Sequence, residues 1–231
     1  MTLTLAIPSK GRLMEATQEL LRKAGLAIDR LGDERGYRGR LVGIDGIDIA
    51  FLSASEIAKN LRDGTVDLGI TGEDLLRETM APEDKAVGVG LRLGFGPARV
   101  VVAVPECWLD VAAMSDLEDV SENFYLRHGR RLRVATKYAN LTRRFFAQKG
   151  VTGYRTVESL GATEGAPAAG SAELIVDITT TGSTLAANHL KILDDGLILD
   201  SCAVLAVQQS APAGPGLRTL ISRLDGALAA V

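Results

Sequence analysis

Leu174-Ile175-Val176-Asp177-Ile178-Thr179-Thr180-Thr181-Gly182-Ser183-Thr184-Leu185 is the stretch on which the reading of this chain turns. Leu174, Ile175 and Val176 form a short apolar run of the kind buried in a parallel sheet. Asp177 stands where that strand ends, at the edge where open α/β sheets place their ligands. Thr179, Thr180, Thr181, Gly182, Ser183 and Thr184 then offer hydroxyls and backbone N–H groups ahead of a helix-like segment. A helix start carries free N–H groups and a positive dipole end, and Gly182 lets the backbone approach a phosphate closely. The same residues also serve as ordinary helix caps and turn formers. The acid favours the ligand: a carboxylate beside a phosphate cradle needs another task, such as binding sugar hydroxyls or Mg²⁺. The segment reads as a site for a phosphorylated sugar.

Outward from it, strands and helices alternate. Residues 3–7 and 47–52 read as strands, 13–24 as a helix, and 66–72 as a strand turning into a helix at Asp74. Ser53 followed by Glu56 makes a capping box for a helix through Ile57 and Leu61. Further strands are expected at 99–104, 132–136, 154–157, 174–177 and 204–207, with a helix over 140–150. Residues 192–199 read as a hairpin turning at Asp195-Gly196, and 217–228 as a terminal amphipathic helix. This alternation is that of a parallel α/β protein. Punctuation near 94–97 and 208–216 divides it into one lobe of 1–93 completed by 207–231 and a second of 94–206. Two crossings between lobes imply a cleft, a favoured place for ligands.

With 46% hydrophobic and 24% charged residues among 231, the chain has the composition of a globular protein. A net charge of −3 supplies no basic field for nucleic acid. The run from Arg127 to Arg133 lacks interleaved aromatics and reads as a solvated approach to the next strand. Cys107 and Cys202, the two cysteines, read as small core residues in a reducing compartment. His128 and His189 lack ligand-spaced partners, so the residues point to no metal site of their own. No segment has the length of a signal peptide core or a membrane span, and a cytoplasmic location is expected.

Other strand-to-helix turns carry charge. Lys10, Gly11 and Arg12 follow the first strand and suit a polyphosphate, or are a solvated loop. Gly72, Glu73 and Asp74 open the helix after the 66–72 strand. Acids there complement a helix dipole, and the glycine permits close approach of a ligand. Lys137 could reach a ligand from its strand end. Glu164, in the Gly-rich loop 161–167, contacts a sugar hydroxyl or metal, or caps a turn.

Five stretches, in this order, carry a family resemblance: PSKGR, DGTVDLGITGEDLL, RVATKYANLTRRFFAQKG, GATEGAP and ELIVDITTTGSTL. Together they resemble ATP phosphoribosyltransferase, in the short form that lacks a C-terminal regulatory domain. The resemblance implies a two-lobed α/β fold like that of periplasmic binding proteins, with a central cleft. It implies a glycosyltransferase that joins N1 of ATP adenine to C1 of phosphoribosyl pyrophosphate, releasing pyrophosphate, in the first step of histidine biosynthesis. Mg²⁺ is implied on the pyrophosphate. A histidyl-tRNA-synthetase-like regulatory subunit is implied as partner, with this chain as a dimer in a hetero-oligomer.

By the same resemblance, Asp177 and Thr179 to Leu185, with Glu164, hold the phosphoribosyl group. Lys10, Gly11, Arg12, Arg35, Gly72, Glu73 and Asp74 belong to the nucleotide side, and Asp177, Lys10 and Arg12 act in catalysis. One departure is plain: Ser53 and Ser55 stand where the family commonly carries arginines. Arg35, Arg38 and Arg40 just upstream are the expected substitutes. Two other classes compete, a two-lobed solute-binding module and a salvage-type phosphoribosyltransferase. The loop of the latter usually has two adjacent acids, whereas Ile178 follows Asp177 here.

Overall fold

The computed structural model describes residues 2–30 and 37–229. In chain order it begins with β1 (Leu3–Pro8), α1 (Gly11–Lys23), β2 (Ala27–Arg30), β3 (Arg38–Val42), β4 (Ile47–Leu52) and α2 (Ala54–Arg62). Next come β5 (Leu68–Gly72), α3 (Glu73–Thr79), β6 (Val87–Arg92), β7 (Ala98–Pro105), α4 (Met114–His128), β8 (Leu132–Thr136) and α5 (Ala139–Gln148). The chain closes with β9 (Tyr154–Glu158), a 3-10 turn (Thr163–Gly165), β10 (Leu174–Thr179), α6 (Ser183–Ala187), β11 (Leu190–Ser201), β12 (Ala203–Gln208) and α7 (Pro215–Ala229).

Two units result, Met1–Pro97 with Cys202–Val231 and Ala98–Ser201. The boundaries expected at 93/94 and 206/207 thus move outward and back. The cause is β12, which pairs antiparallel with both β5 and β6, so its residues belong to the first unit's sheet. The Ala203 N–H also donates to the Phe95 carbonyl at 2.9 Å.

Among the described residues, the first unit carries a seven-stranded sheet in the order β2-β3-β4-β1-β5-β12-β6. β1 lies parallel to β4 and β5 at its centre. Leu5, Ile7, Ile49, Phe51 and Leu68 form its core with Leu20 and Leu21 of α1 and Leu220 and Leu224 of α7. Helix α2 starts with the expected capping box: Ser53 Oγ accepts the Glu56 N–H at 3.3 Å, and Glu56 Oε2 accepts the Ser53 N–H at 2.8 Å. It packs close to β5 because Gly69 has no side chain. A Cβ there would stand 2.5 Å from Ile57 Cγ2 and 2.8 Å from Leu61 Cδ1.

The second unit has a five-stranded sheet, β11-β7-β10-β8-β9. β8 runs parallel to β9 and β10, and β7 antiparallel to β10 and β11. The expected hairpin at 192–199 is absent. Those residues form one strand that pairs with β7 on both sides of an irregularity between Ile192 and Leu199. Asp195, the would-be turn residue, is taken by tertiary partners: its Oδ1 accepts the Met114 N–H at 2.7 Å and its Oδ2 pairs with Lys149 at 2.8 Å. Cys107, expected in the core, is exposed, because β7 ends two residues before it.

The basic run before β8 is structural. Arg130 and Arg133 both bind Glu173, at 3.0 and 2.7 Å, and the Arg133 backbone N–H donates to it as well, at 2.7 Å. Partial burial would raise the Glu173 carboxyl, but these hydrogen bonds outweigh it and hold the group at about 2. A carboxylate depressed on folding stabilises above its unfolded pKa, and that stabilisation is lost as pH falls from 4.5 towards 2. Glu173→Gln should therefore lower stability by roughly 1–3 kcal/mol at neutral pH. Denaturant titrations of the two proteins should converge near pH 2; an equal gap at both pH values would refute the linkage.

Candidate active site

The register of the second unit gathers chemistry at one edge. Val176 lies opposite Thr136, and Thr136 opposite Glu158, so β8 and β9 end level with Val176 while β10 runs on against β7 to Thr179. That register sets Asp177 level with Lys137 and Ser159, which follow β8 and β9 at the edge where such sheets bind ligands. Burial pushes the half-buried Asp177 carboxyl above its ordinary value. The Ile178 backbone hydrogen bond and the Lys137 charge pull it down, and the Glu164 charge pushes it further up. Asp177, Lys137 and Glu164, from three separate connections, therefore share one electrostatic environment.

Glu164 sits in the 3-10 turn, half-buried. Ahead of that turn Ala162 takes a left-handed backbone, φ +49°, a strain of the kind that clusters at functional loops. Ser159 and Thr163 share a hydrogen bond of 2.9 Å between their hydroxyls, tying the turn to the end of β9.

The hydroxyl loop follows Asp177. Thr179 Oγ1 accepts the Gly182 N–H at 2.8 Å, and Thr181 Oγ1 lies 2.9 Å from Ser183 Oγ. Gly182 is left-handed, φ +81°. Thr180, Thr181, Ser183 and Thr184 are exposed. Leu185 is buried instead, packed with Val101, Ala103 and Ile175, so its side chain anchors the loop. The helix that follows has only five residues. The loop's shape thus comes from its own Thr and Gly contacts, with little helix dipole to add.

The residues expected on the nucleotide side lie in the first unit. Lys10 and Arg12 are exposed at the end of β1, on either side of Gly11. Ala6 pairs with Gly69, which sets Gly72 at the same sheet edge as the turn after Pro8. Glu73 and Asp74, the acids of the first helical turn, are both buried. Glu73 binds Arg77 and Arg92, at 3.2 and 2.6 Å. Arg38 and Arg40 are exposed on β3, where Arg40 lies between Asp29 and Asp48 of the neighbouring strands. Arg35 falls outside the described residues.

Sequence reasoning passed over Ser159, Arg77 and Arg92. Arg77, four residues after Glu73 on a helix, carried an available signal. Arg92 carried none, since only the sheet brings β6 to α3. Among the described residues no three His, Cys, Asp or Glu side chains converge to hold a metal. None of the described helices is long and apolar enough to cross a membrane.

A model of the family described as ATP phosphoribosyltransferase matches residues 53–226. An ATP phosphoribosyltransferase of Mesorhizobium japonicum is 60% identical over 230 residues, covering 98% of this chain and 99% of that protein. The chain belongs to the ATP phosphoribosyltransferase family. The family's activity, phosphoribosyl transfer to ATP in the first step of histidine biosynthesis, is the activity of this chain.

Among solved structures, the ATP phosphoribosyl transferase (HisG:HisZ) complex from Thermotoga maritima matches with a TM-score of 0.77 at 26% identity, with all of both chains covered. The GluR0 ligand-binding core with L-glutamate matches at a TM-score of 0.56 and 9% identity, covering 100% of this chain and 93% of that one. This second likeness shows the two-lobed binding-protein fold alone. A solute-binding reading thus shares the architecture of the chain without sharing its family.

Proposed function

We propose that this chain joins N1 of ATP adenine to C1 of phosphoribosyl pyrophosphate, with the phosphoribosyl group held at the Asp177 edge. The observation that supports this most is the pairing of a half-buried carboxylate with an exposed hydroxyl loop centred on left-handed Gly182. The N1 lone pair forms the new bond to C1 as the bond from C1 to pyrophosphate oxygen breaks, and pyrophosphate departs with those electrons. Positive charge develops on the ribose ring, so positioning and electrostatics matter more than a strong base. Asp177 binds the ribose hydroxyls and faces that developing charge. The donors of residues 179–184 hold the 5-phosphate, and Lys10 and Arg12 attract polyphosphate.

Mg²⁺ enters this reading bound to the pyrophosphate group, as part of the substrate. Asp177 and Glu164 offer two carboxylates beside Lys137, too few for a cation cage of the chain's own. The partner proposed is a HisZ-type, histidyl-tRNA-synthetase-like subunit, with the chain dimeric within a hetero-oligomer.

The test is the absorbance of phosphoribosyl-ATP formed from ATP, phosphoribosyl pyrophosphate and Mg²⁺, with and without the partner subunit. Product is expected with ATP and absent with free purine bases. Product from a free base, or none with the partner present, would refute the reading.

A further inference from the structure

Glu73 is 2% exposed at the start of α3, directly after β5. A carboxylate in that position is costly unless cations compensate it. Here two do. Arg77, one turn along α3, brings Nε and Nη2 to 3.3 and 3.2 Å from Oε1. Arg92, at the end of β6, brings Nη2 to 2.6 Å from Oε2. The second contact is an ion pair without hydrogen-bond alignment, since no donor is directed at buried Oε2. One buried carboxylate thus holds two guanidinium groups.

Both arginines remain open to solvent, Arg77 at 57% and Arg92 at 60% exposure. The sheet register fixes where they stand. Gly72 pairs with Ala203, and neighbouring Val204 pairs with Arg92, so β6 brings its last residue to the edge at which β5 ends. β1 ends at that same edge and supplies Lys10 and Arg12. A strap joining α3 to β6 would need one buried ion pair. Two exposed guanidinium groups on the sheet edge that also carries Lys10 and Arg12 suit a multiply charged anion.

We propose that Glu73 is a positioning residue that holds Arg77 and Arg92 as a clamp for a polyphosphate chain. The inference rests on the proposed function, which supplies two such groups: the triphosphate of ATP and the diphosphate of phosphoribosyl pyrophosphate.

The test uses Arg92→Lys, which keeps the charge beside Glu73 and loses the fork, and Glu73→Gln, which releases both arginines. Arg22→Lys, on an exposed pair with Glu19, is the control. With the partner subunit present, Arg92→Lys should raise one KM about tenfold or more while kcat stays within about twofold. A rise in the KM for ATP assigns the triphosphate, and a rise for phosphoribosyl pyrophosphate assigns the diphosphate. Calorimetric titration with inorganic tripolyphosphate should weaken about tenfold in Arg92→Lys and Glu73→Gln and not in Arg22→Lys. That readout holds even if no product forms, so loss of the proposed function and loss of the clamp remain distinct. Both KM values and tripolyphosphate binding unchanged, with only the melting temperature lowered, would reduce the cluster to a strap and overturn the proposal.

Discussion

Asp177→Asn is expected to lower kcat by about two to three orders of magnitude, the usual cost of removing a preorganised group aimed at developing charge. The same substitution should stabilise the fold at neutral pH. Burial raises the Asp177 carboxyl above its ordinary 3.8, so the native state binds a proton that the unfolded chain has already released. Stability therefore falls as pH rises from the unfolded to the folded value, and the full penalty persists above both. Asparagine has the same shape and carries no charge, so it escapes that penalty. Below both values the carboxyl is protonated in either state, and the two proteins should melt alike.

A raised carboxyl in the free chain also predicts that the acid limb of kcat/KM lies at a higher pH than an ordinary Asp would give. Initial rates and thermal melts across pH measure both effects. An Asp177→Asn protein with wild-type turnover would remove this residue from the reaction. One with low turnover and a lowered melting temperature at neutral pH would show that the burial penalty is offset in the fold.

Gly182→Ala is expected to raise the KM for phosphoribosyl pyrophosphate about tenfold or more and to cost roughly 1–2 kcal/mol of stability. Space does not cause this: the nearest atom to an added Cβ is Ile192 Cδ1 at 3.7 Å, an ordinary contact. The backbone causes it, because φ is +81° and an L side chain is strained in that region. If the chain relaxes to relieve the strain, the Gly182 N–H turns away from Thr179 Oγ1 and the donors between 179 and 184 lose their common direction. If it does not relax, the strain appears as lost stability. KM and denaturant titration together divide the two. An unchanged KM would take this loop out of the phosphate's surroundings.

Much of this was legible in the linear sequence. The β10 strand and its acid could be read from residues 174–177, since an apolar run and a strand-end carboxylate are properties of neighbours in the chain. Ser53 and Glu56 announced their capping box for the same reason. Elements whose pattern is weak went unread. β6, Val-Gly-Val-Gly-Leu-Arg, has glycines where a strand signal needs side chains. α4 buries only Met114, Leu117 and Ser121, and its polar remainder hides the helical period.

The sequence by itself determined the family, the α/β class, the hydroxyl loop of residues 179–184 and the acid ahead of it, because each rests on motifs of neighbouring residues. The tertiary structure alone decided what Asp195 and Glu73 do. Asp195-Gly196 has the local chemistry of a hairpin turn, yet β7 pairs with both flanks, and Met114 and Lys149 occupy the carboxylate. Glu73 has the local chemistry of a helix-start acid, yet β6 brings Arg92 against it and buries it. In both places a contact distant in sequence outweighs a local preference worth about 1 kcal/mol or less.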